Sequence, residues 1–396
     1  MTELMRQKPM GKRRTGLILL WRKSRVNDTG GLKMTSDLLK PEAQKTSRRY
    51  ELDLLKALAI ISMILCHPVL RLGLHIPGYE NDFFYFLGQD IFGNYLGVAH
   101  AFMFAMGFGI VFSRKSTPKD LMLRGVKLYL LGYVLNFLRY GMYNLTEAIF
   151  TGEFRSDILQ ALFGMDILQF AGLALIFTGV LKKLKLREFH MLAIAGALSV
   201  IGSVIPEIDT GNYAGNWLIG HFVFTNSDAC AFVFFNWYVF VAAGMLFGSI
   251  LRRTEDPDRL YKRLLIISCC VMVVYITLTF IFGMYFLCRD RNYYSLSLLE
   301  AAGLLSIDLR LLSAFSFLLK RVPASKLRVF IDMSRNITPI YFIHWCILGF
   351  VDSIFCYLLE IVFPWPVIYL IGVVLIILSS WIAKLWAGRK RSAKAR

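Results

Sequence analysis

The chain has 396 residues, 56% of them hydrophobic, with a mean hydropathy of +0.54. Soluble domains are roughly 45–50% apolar; here the excess is gathered into runs of about 20 residues, enough to cross a hydrocarbon core, which excludes an ordinary soluble globule. The formal charge is +18, but the basic residues sit between the apolar runs, which points to a bilayer and away from nucleic acid.

Residues 1–49 are polar, basic and without helical periodicity. They read as a disordered cytoplasmic tail, with contact to anionic lipid as its simplest role. Their apolar patch, Gly16 to Trp21, is too short for a cleavable signal peptide. The first span is then the targeting signal.

Ten apolar runs follow, at 52–74, 91–113, 121–143, 158–181, 190–206, 231–251, 264–287, 296–319, 337–361 and 364–386. Alternate loops carry the positive charge: Arg114 to Arg124, Lys182 to Arg187, Arg252 to Arg263, Lys320 to Arg328, and the tail from 387 to Arg396. Positive loops stay cytoplasmic. The sequence therefore predicts an all-α polytopic membrane protein of about ten transmembrane helices with both termini cytoplasmic. Residues 50–386 form the membrane domain and 387–396 a basic tail. A plasma or inner membrane is the expected location. On the outer side, 207–230 is the longest loop, with Asn and Trp but no Lys or Arg; it suits a carbohydrate or an ordinary interfacial loop equally. Asn144-Leu145-Thr146 is a glycosylation sequon.

The seven Cys are scattered, with no CxxC and no metal-ligand spacing; no metal is expected. Cys230 and Cys288 both read as outward and are candidates for a disulfide. No HExxH, Walker loop, GxSxG or dinucleotide fingerprint occurs.

Ionisable residues inside apolar runs are costly in lipid and ask for a reason. His67 lies about 22 Å along the first span, in the outer half. It is either a proton-transfer group or packing glue between helices. His100 in the second span falls at a similar depth, so the two could share one aqueous cavity; a structural histidine is the alternative. Arg124 and Lys127 open the third span three residues apart, on one helix face. They suit phosphate groups or plain positive-inside anchoring. The eighth span carries Glu300, Asp308 and Arg310, and the fourth carries Asp166; each needs a partner. His344 reads as the inner half of the ninth span. His75, His190 and His221 have no helper pattern.

Together these segments resemble the integral-membrane acyltransferases. The resemblance runs over about 48–385 and is nearest to heparan-α-glucosaminide N-acetyltransferase-like domains, with the broader acyltransferase-3 family next. Leu52-Asp53-Leu54-Leu55-Lys56 through His67 is similar to an opening Leu-Asp-x-x-Arg pattern that ends in His after ten residues. Lys56 stands in the Arg place, keeping the charge but not the two-pronged fork. The Phe-rich segment around His100, the basic entry at Arg124 and Lys127, Asp157 to Gln160, Asn236-Trp237 and Ile340 to Trp345 fit the same series.

The resemblance implies acyl transfer across a membrane. Acyl-CoA, with acetyl the first choice, would bind on the cytoplasmic side near Lys56, Arg124 and Lys127. His67 would act as base, with His100 beside it. The acceptor would be a hydroxyl or amine of a sugar or glycoconjugate on the outer side. The rival readings are a transporter with charges lining its path and a non-catalytic scaffold. Oligomeric state is open.

Overall fold

The computed structural model describes residues 48–96, 99–141, 148–150, 152, 162–225, 230–282, 294 and 296–395. The tail up to 47, the sequon at Asn144, the Asp157 to Gln160 stretch and Cys288 lie outside the described residues, and with them the proposed disulfide. Among the described residues the architecture is helical, with only two isolated β-bridges, Met165 to Cys230 and Ile208 to Thr225.

In chain order the helices are α1 Tyr50–Leu72, α2 Phe83–Phe86, α3 Ala99–Phe112, α4 Pro118–Asn136, α5 Ile167–Lys183, α6 Glu188–Val204, α7 Tyr213–Gly220, α8 Phe234–Arg253, α9 Pro257–Ile281, α10 Leu298–Arg321, α11 Arg328–Arg335, α12 Ile337–Val351 and α13 Trp365–Ala395. Three continue as π-helix: α2 through Leu87–Tyr95, α4 through Phe137–Gly141 and α12 through Asp352–Leu358. Starts are fixed by local chemistry. Thr117 and Asp256 cap α4 and α9, each just before a proline that has no N–H to satisfy. Asp166 with Gln169 and Ser297 with Glu300 form capping boxes on α5 and α10. Glu300 is thus used at a helix start.

Among the described residues, eight helical stretches are long and apolar enough to cross a membrane. These make the chain an all-α polytopic membrane protein. The other two apolar runs form α5 and α6, with 17 residues each, at the lower limit for a crossing. α13 runs on through the basic residues after 387 to Ala395; Ala, Lys and Arg favour helix, and no proline ends it.

Glycines set the closest helix approaches and reveal direction. Gly125 and Gly172 face each other across α4 and α5, where a Cβ on either would lie 2.6–2.7 Å from the other's carbonyl. Gly179 meets Pro118 and Met122, so the two helices are antiparallel. Gly107 of α3 abuts the Val241 carbonyl and Gly244 of α8 abuts the Phe104 carbonyl, while Gly248 meets Val111; α3 and α8 run parallel. The Ala231 N–H donates to the Met165 carbonyl at 2.9 Å, so α5 and α8 start at one level. Between them α6 returns the chain, its Gly202 packing on Phe235 and Asn236.

α1 is the hub. It touches α3, α10, α11, α12, α13 and the π-segment after α2, and Leu55, Ala59, Ile60, Ile64, Val69 and Leu72 are fully buried. α11 and α12 follow it in parallel, since Asp53 accepts from Ser334, His67 meets His344, and His75 meets Asp352.

Candidate active site

α1 keeps helix through the site despite Pro68 directly after His67. A proline inside a helix has no N–H to donate to the carbonyl four residues back, here that of Ile64. Lys56 and His67 are eleven residues apart. At 100° per residue this returns them to one face of α1, about 16 Å apart along the axis.

His67 is half-buried, and its Nδ1 lies 2.8 Å from Nε2 of the fully buried His344. The other nitrogen of His344, Nδ1, lies 3.1 Å from the Ile340 carbonyl oxygen. A carbonyl only accepts, so His344 carries its proton on Nδ1. With both rings neutral, His344 Nε2 is then an acceptor and His67 Nδ1 the donor. This leaves the lone pair of His67 on Nε2. The chain of bonds fixes the tautomer as well as the ring position.

Trp345 lies against His67, with centroids 4.2 Å apart, and the Arg139 guanidinium sits 4.5 Å from the Trp345 ring. Arg139 comes from the π-turn that ends α4. It donates to Asp166 at 2.9 Å and to Asn136 at 3.1 Å, and its Nε has no partner among the described residues. Asp166 is held in turn by capping α5. One turn above His67, Arg71 pairs with Asp352 at 2.9 Å. The layer therefore holds two guanidiniums and two carboxylates beside the histidine pair.

The chain matches the acyltransferase domain of the acyltransferase-3 family over residues 49–385. The chain belongs to the acyltransferase-3 family. It is a membrane acyltransferase. A comparison with curated proteins found no match.

For an acyltransferase the decisive group is a base beside the acceptor, and the histidines differ sharply here. His100 is bonded to Asp308 and Asn94 and not to His67. His100 Nδ1 lies 2.9 Å from Asp308 Oδ2, its Nε2 lies 3.3 Å from the Asn94 carbonyl, and both side chains are fully buried. Both ring nitrogens of His100 are engaged, so it ties α3 to α10 and has no lone pair to offer. Periodicity gave its depth but not the Asp308 facing it.

Lys56 is half-buried, and the Asp53 carboxylate attracts its charge. Its neighbour Asp53 takes Arg48 at 2.6 Å and Ser334 at 2.5 Å. Arg124 and Lys127 are exposed, and Arg124 reaches the Lys115 carbonyl at 3.4 Å. Along α4 they lie roughly 22 and 18 Å from Arg139 at 1.5 Å per residue. The basic pair and the histidine pair thus occupy two levels of the domain.

Sequence reading missed the His67–His344 partnership, because counting from the start of α12 puts His344 in the inner half. The structure puts both at one depth. The α11–α12 junction at Asn336 breaks the helix, so α12 begins well along α1. Arg139 and Trp345 were also missed; the one usable signal was the run Ile340 to Trp345.

A second polar chain lies in the segment before α8. Tyr133 donates to Tyr129 at 2.9 Å, Tyr129 meets His221 Nε2 at 2.9 Å, and His221 Nδ1 donates to the Trp217 carbonyl at 2.6 Å. Burial holds His221 below its ordinary pKa of 6.5, against the opposing pull of the Trp217 bond. Burial likewise pushes the neighbouring Cys230 thiol up to about 12.

Proposed function

We propose that this acyltransferase moves an acyl group, acetyl in the first instance, from cytoplasmic acyl-CoA to a hydroxyl or amine of a sugar or glycoconjugate across the membrane. The observation that carries the reading is the bond chain from the Ile340 carbonyl through His344 to His67, which leaves Nε2 of His67 bare. Nε2 takes the proton of the acceptor as its oxygen or nitrogen attacks the thioester carbonyl. The tetrahedral intermediate collapses, the carbon–sulfur bond breaks, and the CoA sulfur leaves with the proton from Nε2. Arg139, a buried cation over the Trp345 ring that lies against His67, is suited to steady the developing oxyanion.

Arg124 and Lys127 fit the phosphates of the donor, and Lys56, on the His67 face of α1, fits a position along its arm. The likeness to heparan-type N-acetyltransferases favours a sugar amine or hydroxyl as acceptor. The alternating basic loops favour ten crossings with both ends cytoplasmic, and a plasma or inner membrane is the location that goes with this reading.

The test is transfer from labelled acyl-CoA to membrane glycoconjugates by protein purified into nanodiscs. His67→Ala is expected to lose roughly 10²–10⁴-fold in kcat, the usual worth of a positioned base. Full activity in that variant would refute the mechanism.

A further inference from the structure

Two turns beyond His67, three side chains of different chemistry converge. A ring nitrogen of His75, a carboxylate oxygen of Asp352 and Cys356 Sγ all lie within 4.8 Å of one another. Asp352 and Cys356 belong to the π-stretch Asp352–Leu358, and His75 comes from the 3-10 turn that ends α1. The π-stretch matters. With i→i+5 bonds it is wound more loosely than an α-helix, so residues four apart lie nearly over one another. Single π-turns are frequent at functional sites.

The three groups are also oriented. Arg71 holds Asp352 Oδ2 at 2.9 Å, which leaves Oδ1 turned to His75 Nε2 at 3.3 Å. The Tyr357 ring stands edge-on to His75 with centroids 4.9 Å apart. Cys356 and Asp352 are buried, while the His75 side chain is 23% exposed and gives an entry path.

We propose that His75, Asp352 and Cys356 form a site for a borderline-soft divalent metal ion of the zinc class. An ion bound at about 2.0 Å to nitrogen and oxygen and about 2.3 Å to sulfur holds tetrahedral ligand atoms roughly 3.3–3.5 Å apart. The His–Asp pair already has that spacing, and the thiol needs to close by at most about 1.5 Å. One nitrogen, one carboxylate and one sulfur select zinc over magnesium or calcium, which take oxygen ligands. Arg71 acts as the outer partner that orients the ligating carboxylate. On binding, the Cys356 thiol proton leaves to solvent and the His75 proton moves to Nδ1, freeing Nε2 to ligate. The ion would clip the outer end of α1 to the end of α12 above the histidine pair; its test reads metal binding and not turnover, so its failure and that of the acyl-transfer reading are distinguishable.

Full-length protein in nanodiscs is loaded with Co2+ and passed over a chelating resin. The expected result is one ion per chain, with a near-ultraviolet thiolate-to-cobalt band that Cys356→Ser abolishes. Cys346→Ser and Cys230→Ser keep the band. Zinc is expected to raise the melting temperature of the parent protein and not that of His75→Gln. No band in the parent protein, or a band that survives Cys356→Ser, overturns the proposal. Should Cys356→Ser fail to fold, the parent protein decides: zinc must slow alkylation of Cys356 but not of Cys346. Equal alkylation with and without zinc is equally fatal to the site.

Discussion

At the scale of single residues, the site depends on which nitrogen carries which proton. In the proposed mechanism His344 is a positioning residue: it accepts from His67 Nδ1 and so keeps the lone pair on Nε2. Removing it as His344→Ala frees the His67 ring to rotate and exchange tautomers. Kinetics should show kcat reduced by roughly 10²-fold or more, since a wrong tautomer alone is costly in histidine-based sites. His344→Gln, oriented with its amide oxygen toward His67, should recover part of that loss and shift the pH profile of kcat. A merely structural role would move stability in both variants and leave the profile in place. His67 was legible from the sequence because an imidazole deep in an apolar run is expensive. His344 lies 277 residues away, and nothing local marks it as the partner. Arg139 was hidden for a related reason: it sits in a π-turn, where the 3.6-residue period that places side chains on a helix face no longer holds.

At the scale of elements, the spans were readable because length and apolarity are properties of the sequence itself. What pairs with what was not, because packing is decided by small residues whose partners lie elsewhere in the chain. Gly107 and Gly244 let α3 and α8 touch backbone to backbone. Gly107→Ala forces a methyl into the Val241 carbonyl and should destabilise by about 1–3 kcal/mol or more. Gly109→Ala, which meets open space on the same helix, should be neutral or slightly stabilising, because alanine favours helix over glycine. Thermal unfolding in detergent separates the two.

The segment around α7 behaves differently, because it hangs on one titratable ring. His221 is buried against Tyr129, Trp217 and Cys230, and its folded pKa lies below 6.5. Below 6.5 the opened segment takes up the proton first, so its stability is complete above that pH and falls as pH drops through the window beneath it. Protection of 213–225 against hydrogen exchange, each rate being divided by the intrinsic rate at its pH, should therefore fall on acidification from pH 7.5 to about 5.5, and His221→Gln should flatten the dependence. Protection that does not change with pH in the parent protein would contradict the assignment.

At the scale of the whole molecule, charge is arranged in levels along α1. At its start, Asp53 takes Arg48 and Ser334, and Glu51 accepts from Tyr261 at 2.8 Å. Deeper come the His67–His344 pair and then the Arg71–Asp352 pair. The proposed transfer across a membrane would use such a division: a basic entry for an anionic donor at one level and a base at another, with one element linking them. α1 carries Lys56 and His67 on one face, and α4 carries Arg124 and Lys127 at one end and Arg139 at the other. The division makes a kinetic prediction. Arg124→Ala with Lys127→Ala removes two exposed charges about 20 Å from the reacting atoms, so it should weaken donor binding without touching chemistry. KM for acyl-CoA should rise roughly tenfold with kcat little changed, the signature of lost ground-state binding. High salt should erase much of the difference, because exposed charges are screened. His67→Ala should show the opposite split, a fall in kcat at nearly constant KM. In oriented proteoliposomes, acyl-CoA should support transfer only from the face that carries Arg124. Donor use from the opposite face, or an unchanged KM in the double variant, would move the donor site away from α4 and leave the histidine pair to be explained without it.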